Sequence, residues 1–167
     1  FDFIMKTQNL RFGEAVKYLA NLAGMQTYTF SKKDEERENQ WKEYSEIFKI
    51  YVDFCHNELL KNNDLIFVKE YLKKRNLTKE EVVKFNIGYV QPNTSFVREL
   101  ESRFNQKSLL ETGLFYLDEK IKVLIERFKE RVIFPINSIT GYPIALGGRK
   151  IKENNNFAKY INSPETP

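Results

Sequence analysis

The sequence predicts an α+β fold: several short helices followed by a small mixed or antiparallel sheet with a late β-hairpin. Three observations carry that reading. Apolar residues along the first two thirds of the chain recur at three- and four-residue spacing, the helical period. Val132-Ile-Phe-Pro-Ile136 and Tyr142-Pro-Ile-Ala-Leu146 are short apolar runs flanking the Gly-containing loop from Asn137 to Gly141, a hairpin pattern. Finally, 167 residues that are 41% hydrophobic and 14% aromatic can build one ordinary core with a small appendage, which excludes wholesale disorder.

The elements follow in order. Phe1-Asp-Phe-Ile-Met5 reads as a helix already in progress with no cap before it, and a first residue other than Met suggests that residues precede it. Phe12, Ala15, Val16, Leu19, Ala20 and Ala23 mark a second helix, with Gly24 placed to end it. Thr27 to Asn39 is polar, without an apolar period: a linker, or the exposed first turns of the next helix. From Gln40 to Leu60 a stripe of Trp41, Tyr44, Phe48, Val52, Cys55 and Leu59 predicts a long helix. Such a stripe is core far more often than a base-stacking platform, and it is read as core. Asn63-Asp64 caps a shorter helix carrying Leu65, Val68 and Leu72. Thr78-Lys-Glu-Glu81 is a capping box opening a helix with Val82, Val83 and Phe85, and Ile87-Gly-Tyr-Val90 is a strand closed by Pro92. Asn93 to Ser95 caps a helix with Phe96, Val97, Leu100 and Phe104 inward. Ser108 caps a short one ended by Gly113. Leu114 to Leu117 and Val123 to Ile125 bracket a turn as a further hairpin. In the late hairpin, Ile136 opposite Tyr142 would make Pro135 and Pro143 a facing, non-hydrogen-bonded pair.

Several chemistries are excluded. The single cysteine, Cys55, permits no internal disulfide and no Cys-based zinc site, and suits a reducing compartment. Cys55 and His56 are neighbours, so on a helix they point about 100° apart and do not make one nucleophilic site. No apolar run is long enough for a membrane span and no signal pattern opens the chain, so the expectation is a soluble cytoplasmic protein with no membrane partner. The acidic runs Asp34-Glu-Glu36 and Asp118-Glu119 sit in no strand-end pattern that would gather a metal and are read as solvated charges.

Charge gives the positive indication. The chain carries +4 overall, yet residues 120–152 hold eight basic residues against two acidic ones, a local +6. That asymmetry suits a polyanion, although a solvated lysine-rich face explains charge alone equally well. Gly147 and Gly148 carry no side chains, so a large partner could approach their backbone while Arg149 reaches over it. Arg149 can grip phosphate with two parallel donors, Lys159 adds a point charge, and Asn162 both donates and accepts. Lys150 and Lys152 are read as supplying general attraction.

The run from Glu126-Arg-Phe-Lys-Glu-Arg131 through Phe134-Pro-Ile136 and Gly147-Gly-Arg149 to Lys159-Tyr-Ile-Asn-Ser-Pro-Glu-Thr166 closely resembles bacterial DnaG-type primases. It matches the block just before their metal-binding Toprim domain. The resemblance implies the N-terminal subdomain of the polymerase core (40–167), a linker (26–39) and the C-terminal tail of the zinc-binding domain (1–25), whose ligands would lie upstream. Where that family has a capping Ser and a Pro, this chain has Arg11 and Gly13, so a frayed helix start is expected. The resemblance further implies a nucleotidyltransferase, a DNA-directed RNA polymerase making short RNA primers for DNA replication. Its expected partners are single-stranded DNA template, ribonucleotides and RNA primer, and for the full-length protein the replicative helicase and single-strand-binding protein of the bacterial replisome. No catalytic or metal residue is expected in this segment; magnesium (or manganese) and one structural zinc would belong to the full-length protein. Arg75, Arg127, Arg131, Arg149, Lys159 and Asn162 match family positions beside the catalytic groove and are the candidate nucleic-acid and nucleotide contacts. The alternative is a stand-alone single-stranded nucleic-acid-binding module without catalysis.

Overall fold

The computed structural model describes residues 1–25, 31–92, 96–152 and 157–164. The chain divides into two compact units, Phe1–Gln40 and Trp41–Pro167.

In the first unit α1 (Asp2–Thr7) is followed by α2 (Phe12–Leu22), and the Phe1 and Phe12 rings meet at 5.5 Å. The frayed start expected for α2 is instead closed from inside the helix: the Glu14 carboxylate accepts the Arg11 N–H at 2.8 Å. That bond and the Arg11 side chain hold the Glu14 carboxyl below its ordinary value. The linker expected over 26–39 gives way to helix, because α3 runs Lys32–Lys61. The Ser31 hydroxyl accepts from the Asp34 N–H, and Asp34 in turn accepts from Ser31. A reciprocal cap starts a helix without any apolar period, so the polar residues from 32 onward are its first turns. Residues 26–30 lie outside the described part.

The second unit is built on the apolar stripe of α3. Tyr44, Phe48, Val52, Cys55 and Leu59 are buried as expected, joined by Ile47 and Tyr51, whereas Trp41 is 37% exposed. A turn of 3-10 helix (Asn63–Leu65) leads into α4 (Ile66–Lys74), then come α5 (Lys79–Lys84) and β1 (Gly88–Val90). The cap before α4 is Asn62, whose side chain accepts from the Asp64 N–H, one residue earlier than expected. The Thr78–Glu81 capping box forms as predicted. Helices α6 (Phe96–Arg103) and α7 (Gln106–Glu111) follow. Asn105, not Ser108, caps α7; the Ser108 N–H is the donor that Asn105 satisfies. In both corrected caps the accepting residue has extended backbone, the conformation a cap requires. The cap expected at 93–95 lies outside the described residues.

Strands β2 (Phe115–Asp118) and β3 (Val123–Glu126) form the first hairpin. The larger sheet has the order β1-β4-β5-β6, all antiparallel, with β4 Arg131–Asn137, β5 Pro143–Lys150 and β6 Tyr160–Asn162. Gly147-Gly-Arg149 therefore lies inside β5 rather than after it. The predicted register does not form. Ile136 faces Ala145, Pro143 faces Asn137 and Pro135 faces Leu146, so the prolines are not a pair. The loop is the cause: Ser138 N–H bonds the Tyr142 carbonyl and Gly141 N–H bonds Ser138, which takes Tyr142 out of the strand, and the ladder slips between Ile136 and Asn137.

Facing residues on neighbouring strands project to the same side. One side carries Val90, Ile133 and Leu146 into a core with α3, α6, α7 and the small hairpin. The other carries Tyr89 and Val132 against Val68 and Leu72 of α4 and Val82 of α5. Each such Leu, Val or Phe removed from water contributes about 1.5–3 kcal/mol. Two close approaches lock these layers. A Cβ on Gly88 would sit 2.8 Å from backbone atoms of Cys55 and His56, so β1 crosses α3 in contact, and His56 Nδ1 lies 2.8 Å from the Ile87 carbonyl. Cys55 points instead into the core, where burial pushes its thiol well up, so the two neighbours serve separate packing roles.

Candidate nucleic-acid interface

The sheet side covered by α4 brings three of the six candidate residues together: Arg75, Arg149 and Asn162. Along it, Tyr89, Val132, Arg149 and Tyr160 form one row across the four strands, and Phe134, Gly147 and Asn162 form the next. Arg149 and Asn162 thus share a face, two strands deep at the β6 edge. The Arg149 guanidinium carbon lies 5.0 Å from the Tyr160 ring centroid and 5.5 Å from that of Tyr71 on α4. Arg75, just past the end of α4, stands 5.6 Å from the same Tyr71 ring. Tyr71 and Phe67 precede Arg75 by four and eight residues, one helical stripe, and the Lys152 ammonium lies 5.5 Å from the Phe67 ring. Rings beside cations attract them through the quadrupole while leaving their donors free for an anion.

The remaining candidates lie elsewhere. Arg131 is 5% exposed and on the opposite sheet side; its guanidinium donates to the Ala158 and Lys159 carbonyls at 2.8 and 3.2 Å. Desolvation lowers its pKa against the pull of Glu130, but a guanidinium keeps its charge. Arg131 therefore ties the segment leading into β6 to β4. Lys159 precedes β6, outside the paired rows, and its carbonyl accepts the Lys150 N–H as well. Arg127 is exposed in the turn between β3 and β4. Lys150, read as general attraction, is buried, 3.5 Å from Glu130 and 4.5 Å from the Phe157 ring.

The open backbone expected at the glycines exists at one of the two. A Cβ on Gly148 would fall 2.5 Å from Phe128 Cδ1, so that space belongs to a core ring of this chain. Gly147 faces the Arg149–Asn162 side, and a Cβ there would meet Asn162 Oδ1 at 3.5 Å and the Phe134 carbonyl oxygen at 3.9 Å, both ordinary contacts. Sequence reasoning missed Tyr71, Tyr160 and Phe67. The helical spacing of Phe67, Tyr71 and Arg75 is visible in the sequence, as is the alternation of Tyr160 and Asn162, but nothing local puts Arg149 between them.

Chemically, the face offers planar donors, flanking rings and an amide, with no carboxylate in ion-pair range of Arg75 or Arg149 among the described residues. It can hold phosphate and stack on a base. Among the described residues no three His, Cys, Asp or Glu side chains gather as a metal group. No helix among them is long and apolar enough to cross a membrane.

The α+β fold, with its four-stranded antiparallel sheet, matches solved structures of primase catalytic cores. The structure of a DnaG primase catalytic domain bound to ssDNA superposes with a TM-score of 0.68 at 28% identity, covering 77% of this chain and 41% of that one. The Aquifex aeolicus primase structure comprising zinc-binding and RNA polymerase domains matches 99% of this chain and 38% of its own, with a TM-score of 0.64 and 28% identity. More particularly, residues 54–167 match the family described as DNA primase catalytic core, N-terminal domain, and the chain belongs to that family. A Buchnera aphidicola DNA primase is 32% identical over 99% of this chain, which spans 28% of that relative's length.

Proposed function

We propose that this chain is the template-side part of a primase, an RNA polymerase that makes short primers on single-stranded DNA, and that it holds template and primer or nucleotide phosphates beside the active site. The observation that carries this is the gathering of Arg75, Arg149 and Asn162 around Tyr71 and Tyr160 on one sheet face. Lys159, next to Tyr160, and the exposed Arg127 supply general attraction, and Arg131 contributes by fixing the strand that carries Tyr160 and Asn162. In the whole protein, the magnesium or manganese of nucleotidyl transfer and the structural zinc belong to residues other than these. We assign 40–167 to the polymerase core and 1–25 to the end of the zinc-binding domain, joined through 26–39. The helicase and single-strand-binding protein are expected partners of the whole protein in the bacterial cytoplasm.

The test is titration of a labelled single-stranded oligonucleotide at two salt concentrations. Arg149→Glu and Lys159→Glu should each weaken binding and flatten its salt dependence by about one phosphate contact. Unchanged affinity and slope in Arg149→Glu would remove the reading.

A further inference from the structure

One aromatic ring serves two cations. Arg75, just past α4, and Arg149, on β5, are seventy-four positions apart in sequence, yet both guanidinium carbons lie within 5.6 Å of the Tyr71 centroid. They can therefore be no further from each other than twice that distance. Like charges so placed repel, and no carboxylate among the described residues lies within 4 Å of either. The ring that both approach attracts each of them, which offsets that repulsion. The same ring fixes how Arg149 is presented. Its Nε is buried with no hydrogen-bond partner, as is the Tyr71 hydroxyl, while neither Nη is enclosed in this way. The edge left for an anion is the pair of terminal nitrogens, the fork that grips phosphate with two donors.

We propose that Tyr71 is a positioning residue of the phosphate site: its ring holds Arg75 and Arg149 as a pair, so that both engage one stretch of single-stranded DNA backbone together. The proposal rests on the primase reading above. In it Tyr71 touches no substrate; it acts through the two arginines, and its hydroxyl is dispensable.

The experiment measures anisotropy of labelled oligodeoxythymidylate on the 167-residue chain, with circular dichroism as the folding control. Tyr71→Phe keeps the ring and should bind within about twofold of the parent. Tyr71→Leu should weaken binding about tenfold, the scale of a desolvated cation–ring contact. The decisive readout is the double-mutant cycle of Arg75→Gln and Arg149→Gln. With Tyr71 present, the double variant should lose clearly less than the product of the two single losses, because each arginine's contribution depends on the other. In the Tyr71→Leu background the two losses should simply multiply. A purely structural Tyr71 would lower affinity and melting temperature yet leave the coupling unchanged, and that outcome overturns the proposal. So do independent losses with Tyr71 intact, a cycle that needs no Tyr71 variant to fold. If the arginine variants both bind like the parent, the phosphate-site reading itself fails; if they weaken binding without coupling, only the role of Tyr71 does.

Discussion

Glu126 lies at the end of β3 with 2% of its surface exposed, and neither carboxyl oxygen has a hydrogen-bond partner among the described residues. Desolvation raises its pKa to about 8, against a smaller opposing pull from Lys129. The folded chain therefore holds a proton that the unfolded chain, with a carboxyl near 4.5, releases. The sign follows: a raised folded pKa gives stability fully present below the unfolded value and lost as pH climbs to the folded one. At about 1.4 kcal/mol for each pH unit, less the rounding-off near each pKa, stability should fall by roughly 3.5 kcal/mol between pH 5 and pH 8, then level off. Glu126→Gln abolishes the titration while keeping the shape. Urea unfolding of parent and variant at pH 5, 6, 7 and 8 should give curves that diverge by roughly 3.5 kcal/mol, the variant gaining relative to the parent as pH rises. The neighbouring Tyr51 and Cys55, both pushed well above their ordinary values by burial, stay neutral throughout the range. If parent and variant run parallel from pH 5 to 8, the carboxyl is not held protonated and the reasoning fails.

Two substitutions test the close approaches. Gly88→Ala forces a methyl against the α3 backbone, which cannot yield as a side chain can, and should lose about 3 kcal/mol or more in urea unfolding. Gly148→Ala meets the Phe128 ring instead and should lose about 1–3 kcal/mol, with Phe128→Leu restoring part of it in the double variant. A loss below about 0.5 kcal/mol in either would show that the layers are looser than described.

Much of the fold is legible in local pattern. The stripe from Tyr44 to Leu59, the box at Thr78–Glu81 and both hairpins can be read because helix and strand periods are written in neighbouring residues. The caps at Asn62 and Asn105 fall one and three residues before the expected positions, since several side chains nearby can accept the bond and only backbone conformation chooses among them.

The candidate site divides along the same line. Sequence by itself supplied its chemistry: an arginine after two glycines, an asparagine in a short strand, basic residues crowded into 120–152, and a motif set specific to primase cores. It also treated Arg131 and Arg149 as equals. Only the tertiary structure separated them, turning Arg131 inward to bind the carbonyls before β6 and Arg149 outward between Tyr71 and Tyr160. The reason is that alternation fixes sides only within one strand; across the β4–β5 pair Arg131 faces Lys150 and Arg149 faces Val132, so register alone sends the two arginines to opposite sheet sides. Register here depends on the five-residue loop, the Phe128 ring seated under Gly148 and the pairing of β6, contacts between segments far apart in the chain.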